Sequence, residues 1–178
     1  NADVPVRSFV YPLKKQLDQS KWPSGYGNDH FRIKGVKLYM DGSPYTGGAA
    51  FAEPYLNTEV TLKRMNLQPD HHGKVNYSEA SLLQTLTKYH NAGYQIAIHA
   101  QGEIAIQMIL NAFTKIMENY PRPDHRHRLE HNALITKNQI IQAQKLGLTL
   151  SFFMDHVYYY GEQLPQIVGP DRAARFMP

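Results

Sequence analysis

At four places, chemically capable side chains stand where a short apolar run ends: Lys37 and Asp41 around GVKLYM, His99 in YQIAIHA, Glu130 and His131 in RHRLEH, and Asp155 and His156 beyond LTLSFF. An imidazole is largely neutral near physiological pH and offers a lone pair, so His99 and His131 brought to one point could ligate a divalent metal. The competing reading for either ring alone is a strand-end histidine that hydrogen-bonds a neighbouring loop, so the metal reading needs both rings together. Lys37 as an ammonium cannot ligate, and its plain structural reading is a rim lysine paired with Asp41. Beside His156, Tyr158, Tyr159 and Tyr160 could line an apolar substrate pocket or simply pack. Arg126 and Arg128 could hold a carboxylate, and at most one of them is expected to reach the site.

These residues need elements that bring distant segments to one rim. Alternation in VPVRSFVY (4–11) predicts a strand ending at Pro12, followed by a short helix in LKKQLDQSKW. GVKLYM (35–40) predicts a second strand, closed by the turn signal DGS. Residues 41–77, rich in Gly, Pro and Asn, have no sustained period, and so long a connection is usually functional or mobile. Ser78 caps a predicted helix through about His90, Gly93 ends it, and YQIAIHA is the next strand. Apolar residues from Ala105 to Tyr120 recur at helical spacing up to Pro121. RHRLEH (126–131) is a short strand. Thr136 and Gln139 form a capping box for a helix ending at Gly147, and LTLSFF (148–153) resumes a strand.

The order β-α-β-loop-α-β-α-β-α-β predicts a parallel sheet covered by helices, either doubly wound or closed as a barrel. The barrel is favoured because the reactive residues fall at successive strand C-termini, which in a barrel share one face. Hydrophobic residues make up 42% of the 178, enough for one domain with a core. No run is long and apolar enough to span a membrane, and NADVPVRSFVYP has no signal-peptide pattern, so no membrane partner is expected. The net charge of +4 is dispersed, with RHR and KK the densest groups, so nucleic acid is not expected as a partner either. With no cysteine, disulfides and thiolate ligands are excluded, while the compartment stays open. Nine histidines keep metal and acid/base chemistry in view.

GVKLYMDGS, IHAQGEIAIQMILNAF, RHRLEHNALIT and SFFMDHVYYYGE, in that order, resemble the metal-dependent amidohydrolase superfamily, in its amidohydrolase-3 or YtcJ-like branch. There the patterns read K-x-x-x-DGS, IHA-x-GD-x-A-I, RHR-I-EH and SH-x-YYWGD, and the resemblance runs over essentially the whole chain. It implies that His99 and His131 are metal ligands on the fifth and sixth barrel strands. Lys37 becomes the fourth-strand lysine, which in such sites can be carboxylated to bridge two metals once burial lowers its pKa enough for it to lose a proton. The implied cofactor is zinc, one or two ions. The implied reaction is hydrolysis of a carbon–nitrogen bond other than a peptide bond in a small-molecule amide, N-acyl or N-formyl compound. A deaminase, a cyclic-amide hydrolase or an inactive binding module on the same scaffold is the alternative. His156, Tyr159 and Arg128 are the substrate-binding candidates.

Two parts of the family pattern are missing: a first-strand H-x-H and the last-strand Asp that serves as general base. The only H-x-H, His125-Arg126-His127, stands at the start of its strand, the wrong end. A complete barrel takes about 250 residues and eight βα units, so residues 1–178 are expected to form part of a single barrel domain, about strands three to seven. Metal is then expected to be weakly held or absent, and the open sheet edges predict self-association. Glu103 replaces the family's Asp after Gly, which puts its hydrogen bonds in question.

Overall fold

A computed structural model describes residues 6–178. The first predicted strand forms as β1 (Ser8–Val10), and residues 4 and 5 of that prediction lie outside the described residues. After it come α1 (Lys14–Ser20), β2 (Phe31–Ile33), which the sequence reading did not predict, and β3 (Gly35–Tyr39). Beyond the long connection lie α2 (Glu79–Asn91), β4 (Gln95–Ala100), α3 (Glu103–Asn119), β5 (Arg128–His131), α4 (Lys137–Lys145) and β6 (Thr149–Phe152). Three short helices end the chain: α5 (Asp155–Tyr160), α6 (Leu164–Val168) and α7 (Pro170–Ala173).

Local chemistry accounts for the element ends. Ser78 Oγ accepts the Ser81 amide at the start of α2. At α4 the capping box closes both ways, Thr136 Oγ1 accepting from Gln139 N and Gln139 Oε1 from Thr136 N. The α3 stripe of Ala105, Ile109, Ala112, Phe113 and Ile116 is buried, and the helix stops before Pro121.

All sheet pairings are parallel, in the order β3-β4-β5-β6. β1 pairs with β2, and the chain after it runs on beside β3 through Lys34 N to Val10 O, Lys37 N to Pro12 O and a Leu13–Lys37 bridge, extending the sheet by one strand. Within β3-β4-β5-β6, neighbours in the sheet are neighbours in sequence with no reversal of order, while β1 stands between β2 and β3. Val36, Leu38, Met40, Ile96, Ile98 and Leu129 face the buried stripes of α2 and α3 in one core. A doubly wound sheet reverses its strand order and carries helices on both faces, whereas an arc of a (β/α)8 barrel does neither. The fold is that arc, and it is not closed among the described residues.

The connection 41–77 has little regular structure but its own core: Phe51 and Tyr55 pack with Leu134, Leu164, Ile167 and Val168 beyond the strand C-termini. The amides of Phe51 and Tyr55 reach the His72 and His71 carbonyls, tying the segment to itself. At Gly102 the cap approaches so closely that a Cβ would run into the Ala50 carbonyl.

Candidate metal centre

Register places Tyr39, His99, Glu130 and Ser151 side by side, and Lys37, Ala97, Arg128 and Thr149 side by side one pleat deeper. Strand alternation alone would put Glu130 on the face of His99 and send His131 with Leu129 into the helix-facing core. His131 instead has φ +81°, followed by Asn132 at +53°. Crossing into the left-handed region swings the Cβ through roughly half a turn, and the ring arrives 4.6 Å from that of His99, centroid to centroid. Backbone strain at a β5 terminus is therefore what assembles the pair.

His156, at the start of α5, stacks on His131 at 6.2 Å with planes 14° apart and meets Tyr45 edge-on. Burial lowers the pKa of His99 to about 4, helped by His131, Lys37 and His156 and opposed by the Gly42 backbone. His131 also falls to about 4, through burial and then Lys37, with Glu130 opposing. Both rings are neutral at neutral pH, the form that ligates metal. Burial also lowers the pKa of Lys37, against the pull of Glu130. Its Nζ lies 5.1 Å from the centre of the Tyr39 ring.

Asp41, only 2% exposed, is not the partner of Lys37 that the sequence reading offered. Its Oδ1 accepts the Gln101 amide at 2.9 Å, and its Oδ2 accepts those of Gly102 at 2.9 Å and Ala50 at 3.0 Å. Oδ1 also lies 3.7 Å from His99 Nε2. Burial raises its pKa to about 6 despite those three donors, so it is ionised at neutral pH.

Arg128 faces inward, below the rim, where its Nε donates to Glu130 Oε1 at 2.7 Å beside the Tyr11 ring. Arg126 is off the strand, paired with Asp124. Tyr159 is not brought to the centre: it is 68% exposed and its ring neighbours are Tyr158 and Tyr160. Tyr160 takes the place predicted for it, 6.0 Å from His156 and 4.3 Å from Tyr45. A cleft of about 640 Å³ reaches Lys37 and Tyr39 from the α1 side but is lined by neither imidazole. Glu103, on which the sequence reading left doubt, accepts the Ala52 amide at 3.4 Å and approaches Arg175 at 3.8 Å.

His125 and His127 lie at the far end of β5, as their position before it implied, and form a closed network with His90. His90 Nε2 donates to Tyr120 O, so its Nδ1 accepts from His127 Nε2, whose Nδ1 accepts the Ile96 amide. His125 Nδ1 accepts the His127 amide, and its Nε2 donates to Leu146 O. Every ring nitrogen of the three is used internally, leaving no donor for a ligand.

The buried side-chain polar atoms left without a partner among the described residues are His99 Nε2, Gln101 Oε1, Asn132 Oδ1 and His156 Nδ1. All four belong to residues at or just past strand C-termini. Gln101 and Asn132 escaped the sequence reading, since nothing in their spacing separates them from ordinary loop amides. As a metal site the rim fits in part: two neutral imidazoles are adjacent, with Lys37 nearby. No group of three or more His, Cys, Asp or Glu side chains converges to hold a metal among the described residues.

Comparison with known proteins gives the same frame. The chain is 26% identical over 143 residues to LONG AFTER FAR-RED 3 of Arabidopsis thaliana, covering 80% of this chain and 23% of that protein. It is 24% identical over 172 residues to YtcJ of Bacillus subtilis, covering 94% of this chain and 29% of the relative. Uncharacterized metal-dependent hydrolases from Pyrococcus furiosus and Pyrococcus horikoshii OT3 superpose with a TM-score of 0.75 each, at 22% and 24% identity, over 96% of this chain and about a third of theirs. The chain thus spans between about a quarter and a third of the length of these proteins. Residues 3–178 match the amidohydrolase family, and the chain belongs to it.

Proposed function

We propose that this chain supplies one side of the active site of a metal-dependent hydrolase acting on carbon–nitrogen bonds other than peptide bonds. The supporting observation is the set of four unpartnered buried polar atoms gathered at the strand C-termini. Each such atom costs on the order of 1–3 kcal/mol when left unpaired, so their collection on one rim makes sense as provision for a ligand. Donor chemistry favours zinc, since neutral imidazoles and oxygen donors suit it.

In this reading His99 and His131 donate to the cation, held by β4 and by the left-handed turn of β5. Lys37, with its pKa lowered by burial, is placed to be carboxylated and so to add an oxygen donor. A bound divalent cation would acidify water and polarise a carbonyl. His156, against His131 and Tyr45 and with Nδ1 unpartnered, is placed to hydrogen-bond a small amide, N-acyl or N-formyl substrate. Arg128, fixed by Glu130, supplies positive charge deeper in the same face. Tyr45 and Tyr160 give that substrate an apolar wall.

Metal content of the full-length protein that carries this chain, measured by plasma mass spectrometry, tests the reading. It predicts zinc lost in parallel from the His99→Ala and His131→Ala variants, each still folded by circular dichroism. Salt-sensitive retention on DNA with no metal in any form would instead favour a binding module.

A further inference from the structure

The long connection and the terminal helices enclose a second cleft, of about 440 Å³, and no imidazole lines it. Tyr45 stands between this cleft and the metal centre, edge-on to His156 at 5.1 Å and against Tyr160 at 4.3 Å, and both tyrosines wall the cleft. A further wall is a single turn of π-helix, Val60–Arg64, closed by Met65 N donating to Val60 O at 2.9 Å. Such a turn is wider than the 3.6 residues of an α-helix and brings residues five apart round to one side. Glu59 with Arg64 and Val60 with Met65 are such pairs, and all four line the cleft. Thr61, which does not line it, is buried and holds the turn through the Leu56 carbonyl and the Thr58 amide. The α6 side is tied to the same segment: Thr58 Oγ1 donates to Gln166 O at 2.8 Å and Leu56 N to Ile167 O at 2.9 Å. The cleft is therefore preformed, its size falls in the range of small-molecule sites, and π-helical turns often mark functional segments.

Its charge is not balanced. Glu59 is paired with Lys63 at 3.8 Å, whereas Arg64 has no ion pair or side-chain hydrogen bond among the described residues. We propose that the cleft is a second small-molecule site, for a carboxylate carried on an aromatic or aliphatic body. Arg64 holds the anion, and Tyr45, Tyr160 and Met65 pack the body. The site goes beyond the hydrolase reading and does not rest on it.

Saturation-transfer NMR on the full-length protein that carries this chain tests the site with four probes: phenylacetate, its neutral counterpart benzyl methyl ketone, its cationic counterpart phenethylamine, and acetate. Phenylacetate is expected to bind about tenfold more tightly than the ketone, the scale of one charge-assisted hydrogen bond, with acetate and phenethylamine weaker still. Arg64 is exposed, so Arg64→Gln is expected to fold and to bring phenylacetate down to the level of the ketone. His99→Ala is expected to leave phenylacetate binding unchanged. Equal binding of the acid and the ketone, tighter binding of the amine, or acetate binding as tightly as phenylacetate overturns the proposal. So does a preference for the acid that survives Arg64→Gln; if that preference is lost in His99→Ala instead, the acid sits at the metal centre, which supports the hydrolase reading and removes this site. Arg64-dependent binding in a protein that holds no metal leaves the site standing while the hydrolase reading fails.

Discussion

Mild acid is expected to destabilise this protein through a histidine far from the metal centre. His127 is fully buried, with Nδ1 accepting the Ile96 amide and Nε2–H donating to His90. Protonation would need a second N–H where an amide already points, and burial lowers its pKa to about 2, with His125 and Arg122 adding repulsion. In the unfolded chain the ring titrates near its ordinary value of about 6.5. Above that value both states are neutral and the full stability is present. As pH falls below it the unfolded chain binds a proton that the native state refuses, and stability is lost until the folded value is reached. Between about pH 7 and about pH 5 this one ring removes about 2 kcal/mol, close to 1.4 kcal/mol per further pH unit. Burial also lowers His90 and His125, so they act in the same direction. Urea unfolding at a series of pH values, for wild type and His127→Gln, isolates the contribution. The variant is expected to be less stable at neutral pH but to lose about one fewer proton-equivalent of stability on acidification. Identical pH slopes for the two proteins would refute the assignment of a neutral, locked His127.

Other perturbations follow from the same structure. Because His131 sits at φ +81°, His131→Gly is expected to unfold about 1 kcal/mol less readily than His131→Ala in urea. Gly102→Ala drives a methyl into the Ala50 carbonyl and is expected to cost about 1–3 kcal/mol, read as a lower urea midpoint at unchanged slope. At its outer edge β6 has no strand partner among the described residues, and Phe153 and Met154 just beyond it are exposed. We therefore expect concentration-dependent self-association in light scattering, weakened by Met154→Lys.

The main helices and most of the strands were legible because periodicity and punctuation agree there: Thr136 with Gln139, the α3 stripe before Pro121, and the alternation of GVKLYM. β2 was not legible, since three residues between loops give no period, and neither were α5 to α7, whose short runs look like the end of a chain. The segment 41–77 gave no hint of its own core because Phe51 and Tyr55 find their partners more than a hundred residues away, in α6. At the centre, His99 and His131 were identifiable from their strand-end positions and from family resemblance. Their meeting depends on the left-handed His131, which residue type does not announce. That Tyr160 and not Tyr159 turns toward His156 was not legible, because the six residues of α5 carry too little period to show which ring faces inward.

The central claim is that His99 and His131 share one cation. The direct measurement is a cadmium titration of nitrogen-labelled protein, followed through the ring nitrogens of all nine histidines. One nitrogen on each of His99 and His131 is predicted to shift in step and couple to the same metal nucleus, while His90, His125 and His127 stay unchanged. Coupling to neither ring, or to one without the other, would contradict the account.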